Sequence, residues 1–372
     1  MPEHYRPAWA EINLGNLDHN FHLVRKLVGA GVKILVPVKA DAYGHGIIAV
    51  SKRLEKLGVD YLGVASIDEG IILRKNGIKK PILVLSPIFP DGAEAVLRHN
   101  LIPAVCAWEL ALKLDGEAAR RKQKAVIHIK VDTGMHRIGI AHHSARLFIR
   151  QVSRLKNIFV EGIFTHFPCA DNNPAFTRQQ IGMFEDLIRQ LEKEGIHIPL
   201  KHAANSLGVL DYPAGHFNMV RPGLIVYGLS PRDRLRHKLL PVLSLKTRIA
   251  YVKAVDKGKG VSYGHTFVTA LKTRIATLPV GYGDGYPRSL SNKAFCLIGG
   301  KRVRIVGRIC MDQMMADVTN IRDVKTGQEA VLIGRQKAEA ISAEELAKLA
   351  GTIPYEIVCN LGQRIPRVYR KG

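Results

Sequence analysis

Between Ile34 and Gly228, eight short and nearly uninterrupted apolar runs alternate with amphipathic stretches of helical length, and this limits the chain to few folds. Runs without polar alternation suit strands buried on both faces, and strands joined by crossover helices pair in parallel. The runs are ILVPVK (34–39), YLGVAS (61–66), ILVLS (82–86), IPAVC (102–106), AVIHIKVD (125–132), FVEGIFTH (159–166), LKHAAN (200–205) and FNMVRPG (217–223). Helices are expected at 47–57, 67–75, 91–99, 107–117, 142–154 and 174–194, with a short turn near 206–210. Eight such units predict an α/β fold, a (β/α)8 barrel. AWAEINL and a helix at about 15–29 precede this count, so the first strand is free to pack elsewhere.

Past Pro231 the texture changes to strand-length runs without long helices between them: LSLKTRIAYVKAV, TRIATLPVGY, AFCLIGG, KRVRIVGRIC, MADVTN and EAVLIG. One helix is expected at SAEELAKLAG, with Ser342 as N-cap, Glu345 three residues on and Gly351 at its end. The 372 residues exceed what one core usually serves, about 250–300. Two domains are therefore expected, a barrel over 1–237 and a mainly β domain over 238–372.

Composition narrows the function classes. Hydrophobic residues at 47 % and charged residues at 23 % exclude a disordered or low-complexity chain. The longest apolar stretches, such as 81–90, fall short of the ~20 residues that span a bilayer, and the charged opening MPEHYRPAWAEI lacks an export signal's apolar run. A cytoplasmic protein without membrane contact is expected. The five cysteines (Cys106, Cys169, Cys296, Cys310, Cys359) have neither metal-ligand spacing nor a disulfide pattern, so no metal is expected. The net charge of +23 attracts polyanions, and residues 230–275 concentrate it, with Arg232, Arg234 and Arg236 among them. No zinc-finger, ribonucleoprotein or basic-zipper motif accompanies it, which makes nucleic acid the weaker partner reading.

In a parallel barrel, chemistry sits at the C-terminal strand ends. Reactive residues fall there in order: Lys39 after the first run, Lys130 and Asp132 at the fifth with Arg137 beyond, His166 at the sixth, Asn205 and Ser206 after the seventh, Arg221 at the eighth. A lysine emerging from an apolar strand is desolvated, which lowers its pKa and makes a nucleophile for a Schiff base. A strand-end lysine is also often a mere surface cation. Tyr43, Gly44 and Gly46 beside it, and RPGLIVYG at the eighth run, sharpen the reading. Gly223 and Leu224 offer backbone N–H groups, and Ser206 and Tyr43 hydroxyls, to a phosphate. A Schiff-base lysine facing a phosphate cradle implies pyridoxal 5'-phosphate.

VKADAYGHG (38–46) resembles the cofactor-attachment signature of the alanine racemase family. The resemblance continues in order through HIKVDTGMHRIG (128–139), FTHF (164–167), HAANS (202–206), VRPGLIVYG (220–228), VSYGHTF (261–267), GYGDGY (281–286), GRICMDQ (307–313) and PYEIVCNLGQR (354–364). It implies a barrel followed by a β domain, a head-to-tail homodimer with shared sites, and interconversion of L-alanine and D-alanine for cell-wall synthesis. Residue by residue it implies Lys39 and Tyr263 as bases on opposite faces of the substrate, Arg221 at the pyridine nitrogen and His166 beside the cofactor ring. Tyr43, Ser206, Gly223, Leu224 and Tyr355 resemble the phosphate shell, with Asn205 beside it. Arg137 and the Met311 N–H resemble the carboxylate contacts, Lys130 a position that can carry a carbamate, and Tyr282 part of the entrance. His136 departs from the family pattern and adjoins Arg137, where it is positioned to perturb a carbamate or the pH profile. Arg308 and Asp312 are candidates for a mutual ion pair. Alternatives are a serine or lysine racemase on the same scaffold, a related decarboxylase, which Arg221 disfavours, and a basic nucleic-acid-binding protein.

Overall fold

A computed structural model describes residues 5–230 and 238–371. Residues 231–237, and with them Arg232, Arg234 and Arg236 of the basic stretch, lie outside the described residues.

The chain starts with β1 (Ala8–Asn13) and α1 (Leu14–Val28), whose N-cap Asn13 accepts from the Asn16 N–H. The barrel follows: β2 (Lys33–Pro37), α2 (Lys39–Gly44), α3 (Ile47–Lys56), β3 (Tyr61–Val64), α4 (Ile67–Lys75), β4 (Ile82–Val84), α5 (Ala93–Arg98), β5 (Ile102–Val105) and α6 (Trp108–Arg120). Its second half is β6 (Ala125–Asp132), β7 (Ile140–Ala141), α7 (His142–Val152), β8 (Ile158–Phe164), α8 (Pro174–Lys193), β9 (Leu200–His202), α9 (Ser206–Asp211) and β10 (Met219–Val220). The parallel order β5-β4-β3-β2-β10-β9-β8-β6 closes on itself through a β5–β6 pairing, which makes the expected eight-stranded barrel. Leu35, Tyr61, Leu83, Ile102, Leu200 and Met219 fill its interior. The eighth strand is shorter than its apolar run because Phe217 takes a left-handed conformation (φ 49) before it and Pro222 follows at once.

The remaining elements are β11 (Leu243–Arg248), β12 (Tyr251–Val255), β13 (Gly260–Val261), β14 (Phe267–Val268), β15 (Thr273–Leu278), β16 (Phe295–Ile298), β17 (Lys301–Val306), β18 (Met314–Asp317), β19 (Glu329–Gln336), β20 (Glu339–Ile341), α10 (Ala343–Ala350), α11 (Pro354–Cys359) and β21 (Arg367–Arg370). They form a second sheet in the order β12-β15-β18-β17-β16-β19-β11-β1-β21. The first strand thus packs away from the barrel, antiparallel to β11 (Ala10↔Leu245) and parallel to β21 (Ile12↔Tyr369). The run LSLKTRIAYVKAV splits at Ile249 and Ala250 into two strands of the sheet. Ser342 caps α10 through the Glu345 N–H and Gly351 ends it left-handed, while the Glu345 carboxylate pairs with Arg302 instead of returning to the cap. Part of the basic stretch is used locally: Lys246 pairs with Glu11 at 3.1 Å, and Arg274 donates to the Ile321 and Val324 carbonyls.

Candidate active site

Lys39 stands two residues beyond the end of β2, at the barrel rim. The chain then coils left-handed from Ala40 to Tyr43 (φ 52, 53, 53 and 56), which for non-glycine residues costs about 1–2 kcal/mol each. Several groups hold this turn. Glu69 Oε1 accepts from the Ala40 N–H at 2.7 Å, Asp41 Oδ1 accepts from the Ile47 N–H at 2.8 Å, and Arg367 Nε donates to the Gly44 carbonyl at 3.0 Å. His45 Nδ1 lies 2.8 Å from the Tyr43 carbonyl and 3.0 Å from that of Ala42, so it carries the proton and donates to both. The turn sends Tyr43 inward, where its ring lies 4.9 Å from that of Tyr227 and 5.5 Å from that of Tyr355 on α11. Burial, with Arg137 and Arg221 adding to it, lowers the Lys39 pKa against the opposing pull of Glu69 and Cys359.

Around that amine the rim collects most of the residues named from the sequence. Ser206 Oγ accepts from the Gly223 N–H at 3.1 Å. A Cβ at Gly223 would lie 2.9 Å from Tyr43 Oη, so the glycine lets that hydroxyl approach the backbone. Asn205 is used locally, accepting from the Gly208 N–H as the cap of α9 and donating to the Phe167 carbonyl. Arg221 is buried and donates to the carbonyls of Thr165 (2.7 Å) and Ala203 (2.9 Å) and to the rings of His202 (2.8 Å) and His166 (3.2 Å). Burial brings its guanidinium down to about 9, still protonated at neutral pH. The His166 pKa falls through burial, with Arg221 and Lys130 adding to it.

Lys130 lies inside β6 rather than at its end, 4 % exposed, with Nζ 4.9 Å from the centre of the Phe164 ring. Burial, and then Arg221, bring its amine to about 7, so a large fraction is neutral at physiological pH. Asp132 Oδ1 accepts from the N–H groups of Gly134, Met135 and His136 and shapes the turn that presents the exposed Arg137. His136 faces solvent and pairs with Asp132, Nδ1 lying 3.4 Å from Oδ2.

The other named residues form a second cluster. Tyr263 is 70 % exposed and, with Met311, lines an open cleft of about 780 Å³ on the β domain. Tyr282 is tied to that cleft through its N–H on the Cys310 carbonyl. Asp312 pairs with Arg364 at 2.5 Å, not with Arg308, which lies against Gly264. Sequence reasoning did not single out Glu69, Cys359, Tyr227 or Arg367. Only Glu69 carried a local signal, three residues after the N-cap Ser66, and its carboxylate is spent on Ala40 and Ala65 rather than on the cap.

The closed parallel barrel thus carries a desolvated lysine at its rim, the end at which enzymes of this fold place their active sites. Residues 12–231 match the family model "Alanine racemase, N-terminal domain" and residues 242–369 match "Alanine racemase, C-terminal domain". The chain belongs to the alanine racemase family. An alanine racemase of Halothermothrix orenii is 48 % identical over 368 residues, covering 98 % of this chain and 97 % of that protein. The solved alanine racemase of Clostridium difficile 630 superposes with a TM-score of 0.94 at 39 % identity, over 100 % of this chain and 97 % of that one. That of Bacillus anthracis, solved with bound L-Ala-P, gives 0.93 at 35 % identity, over 99 % and 96 %. Among the described residues no helix is long and apolar enough to cross a membrane, and no group of three or more His, Cys, Asp or Glu side chains could hold a metal ion.

Proposed function

We propose that this chain interconverts L-alanine and D-alanine as a homodimer, with pyridoxal 5'-phosphate carried on Lys39. The observation that supports this most is the Lys39 amine at the barrel rim, held below its ordinary pKa by burial with Arg137 and Arg221 acting on it. The residues present fit the cofactor. Tyr43 Oη, Ser206 Oγ, the Leu224 N–H and Tyr355 would hold its phosphate, and Arg221 its ring nitrogen. When bound, the cofactor withdraws electrons from the substrate Cα and makes its C–H acidic. A protonated guanidinium donates to that nitrogen and leaves it without a proton, which limits electron withdrawal and so side reactions.

Racemisation removes the Cα proton from one face and returns one to the other. Lys39 Nζ serves one face. Tyr263 Oη, offered outward on the β domain, serves the opposite face from the partner chain. In each direction one of the two groups takes the proton and the other gives one, and exchange of protons with solvent restores both groups for the next turnover. Arg137 and the Met311 N–H would meet the substrate carboxylate, and Tyr263, Tyr282 and Tyr355 narrow the entrance to a small side chain. The neutral amine of Lys130 attacks CO2 to form an N–C bond and releases one proton. The resulting carbamate is the counter-charge for Arg137.

Borohydride reduction of the loaded enzyme followed by peptide mapping tests the reading. The pyridoxyl group is expected on Lys39, and L-alanine is expected to lose optical rotation with the unreduced enzyme. A label on Lys33 or Lys130, or unchanged rotation, overturns it.

A further inference from the structure

We propose that Glu161, midway along β8, is a positioning residue for Arg221 at the barrel rim and acts through the imidazoles of His128 and His202. This deepens the reading above and rests on it only for the role of Arg221. Arg221 Nη1 donates to His202 Nδ1 at 2.8 Å, His202 Nε2 lies 2.9 Å from His128 Nδ1, and His128 Nε2 lies 3.1 Å from Glu161 Oε2. Both imidazoles are fully buried.

The proton positions follow from the partners. A guanidinium only donates, so His202 Nδ1 is bare and its proton sits on Nε2. That proton points at His128 Nδ1, which is bare in turn, and the His128 proton is left on Nε2 facing Glu161. An ionised carboxylate only accepts and closes the series. Moving any one proton sets two donors or two lone pairs face to face. Burial keeps both rings neutral, as the series requires.

The strand is shaped for this arrangement. Ile127 pairs with Val160 but His128 pairs with Gly162, so Glu161 is the extra residue of a β-bulge, a device that re-aims a side chain. A Cβ at Gly162 would lie 2.5 Å from His128 Nδ1, so only glycine leaves room for the ring. Phe164 stacks on His202 at 4.7 Å and 4°. Tyr61 and Lys33, the latter at the start of β2, act on the carboxylate as well. Burial pushes the Glu161 carboxyl up, but the contacts with His128, Tyr61 and Lys33 outweigh it and hold it below its ordinary value. Arg221 has no carboxylate within ion-pair reach among the described residues, and a buried charge needs a counter-charge. Glu161 supplies it through two polarised rings.

The test uses the whole chain labelled with ¹⁵N-histidine, without cofactor, and then the loaded enzyme. The wild-type spectrum is expected to show both buried rings as neutral Nε2–H tautomers that do not titrate near neutral pH. Glu161→Leu keeps the volume and removes the acceptor. It is expected to shift at least one ring toward Nδ1–H and to lower kcat about tenfold or more with KM changed less than about twofold. Glu161→Gln keeps a carbonyl acceptor and is expected within about threefold of wild type. A wild-type ring protonated at Nδ1, a Leu variant with both rings and kcat unchanged, or a loss of kcat without a tautomer change overturns the proposal. The wild-type spectrum needs neither a folded variant nor racemisation, so failure here and failure of the functional reading are separable.

Discussion

Lys130 carries one charge whose cost to stability depends on pH. With its amine at about 7 in the fold against 10.5 in the open chain, it binds fewer protons folded than unfolded between those values. Its burden on stability is therefore fullest below pH 7 and fades as pH rises toward 10.5. In bicarbonate-free buffer Lys130→Met is expected to raise Tm, and by more at about pH 6.5 than at about pH 9.5. Equal gains at both would show that the amine is not depressed, as calorimetry at the two pH values decides. The sequence made the rim residues legible because Lys39, Lys130 and Arg221 each interrupt or end an apolar run, and polar side chains there need a use. It did not make legible what neutralises them. Arg221 meets His202 and His166, 19 and 55 residues away in sequence, and no local pattern announces such partners.

The left-handed turn of α2 was equally hidden, because Ala40, Asp41, Ala42 and Tyr43 include no glycine and its supports, Glu69 and Arg367, are remote. The barrel strands and most helices were legible because burial on both faces imposes uninterrupted apolar runs. Short α11 and the charged strand β21 leave no such trace, yet α11 backs the turn. A Cβ at Gly44 would lie 2.1 Å from the Val358 carbonyl oxygen. Gly58 shares the same φ of +80 and has nothing within 4 Å, so it isolates backbone strain from this contact. Gly44→Ala is expected to cost about 1–3 kcal/mol more than Gly58→Ala in denaturant unfolding and to weaken cofactor binding. Equal costs would mean that α11 yields freely and does not hold the turn.

Across the whole molecule the two clusters of candidate residues lie on different domains, Lys39 in the barrel and Tyr263 exposed on the β domain. If each site combines one cluster from each chain, inactive Lys39→Ala mixed with inactive Tyr263→Ala forms about half mixed dimers, each with one intact site. About a quarter of wild-type activity should return, with subunit exchange verified by native mass spectrometry. No recovery despite exchange would show that each site is built within one chain. The second sheet has a different consequence, which concerns synthesis. Strand β1 leaves the ribosome before the barrel, but β11 and β21, which flank it, come after. At ~5–20 residues per second, the stretch from Asn13 to Leu243 takes on the order of ten to fifty seconds. For that interval Ala8, Ala10 and Ile12, all fully buried at the end, belong to a strand with neither neighbour yet made. Nascent chains stalled just short of Leu243 should hold a barrel with a sticky leading strand and be the species that chaperones or aggregation capture first.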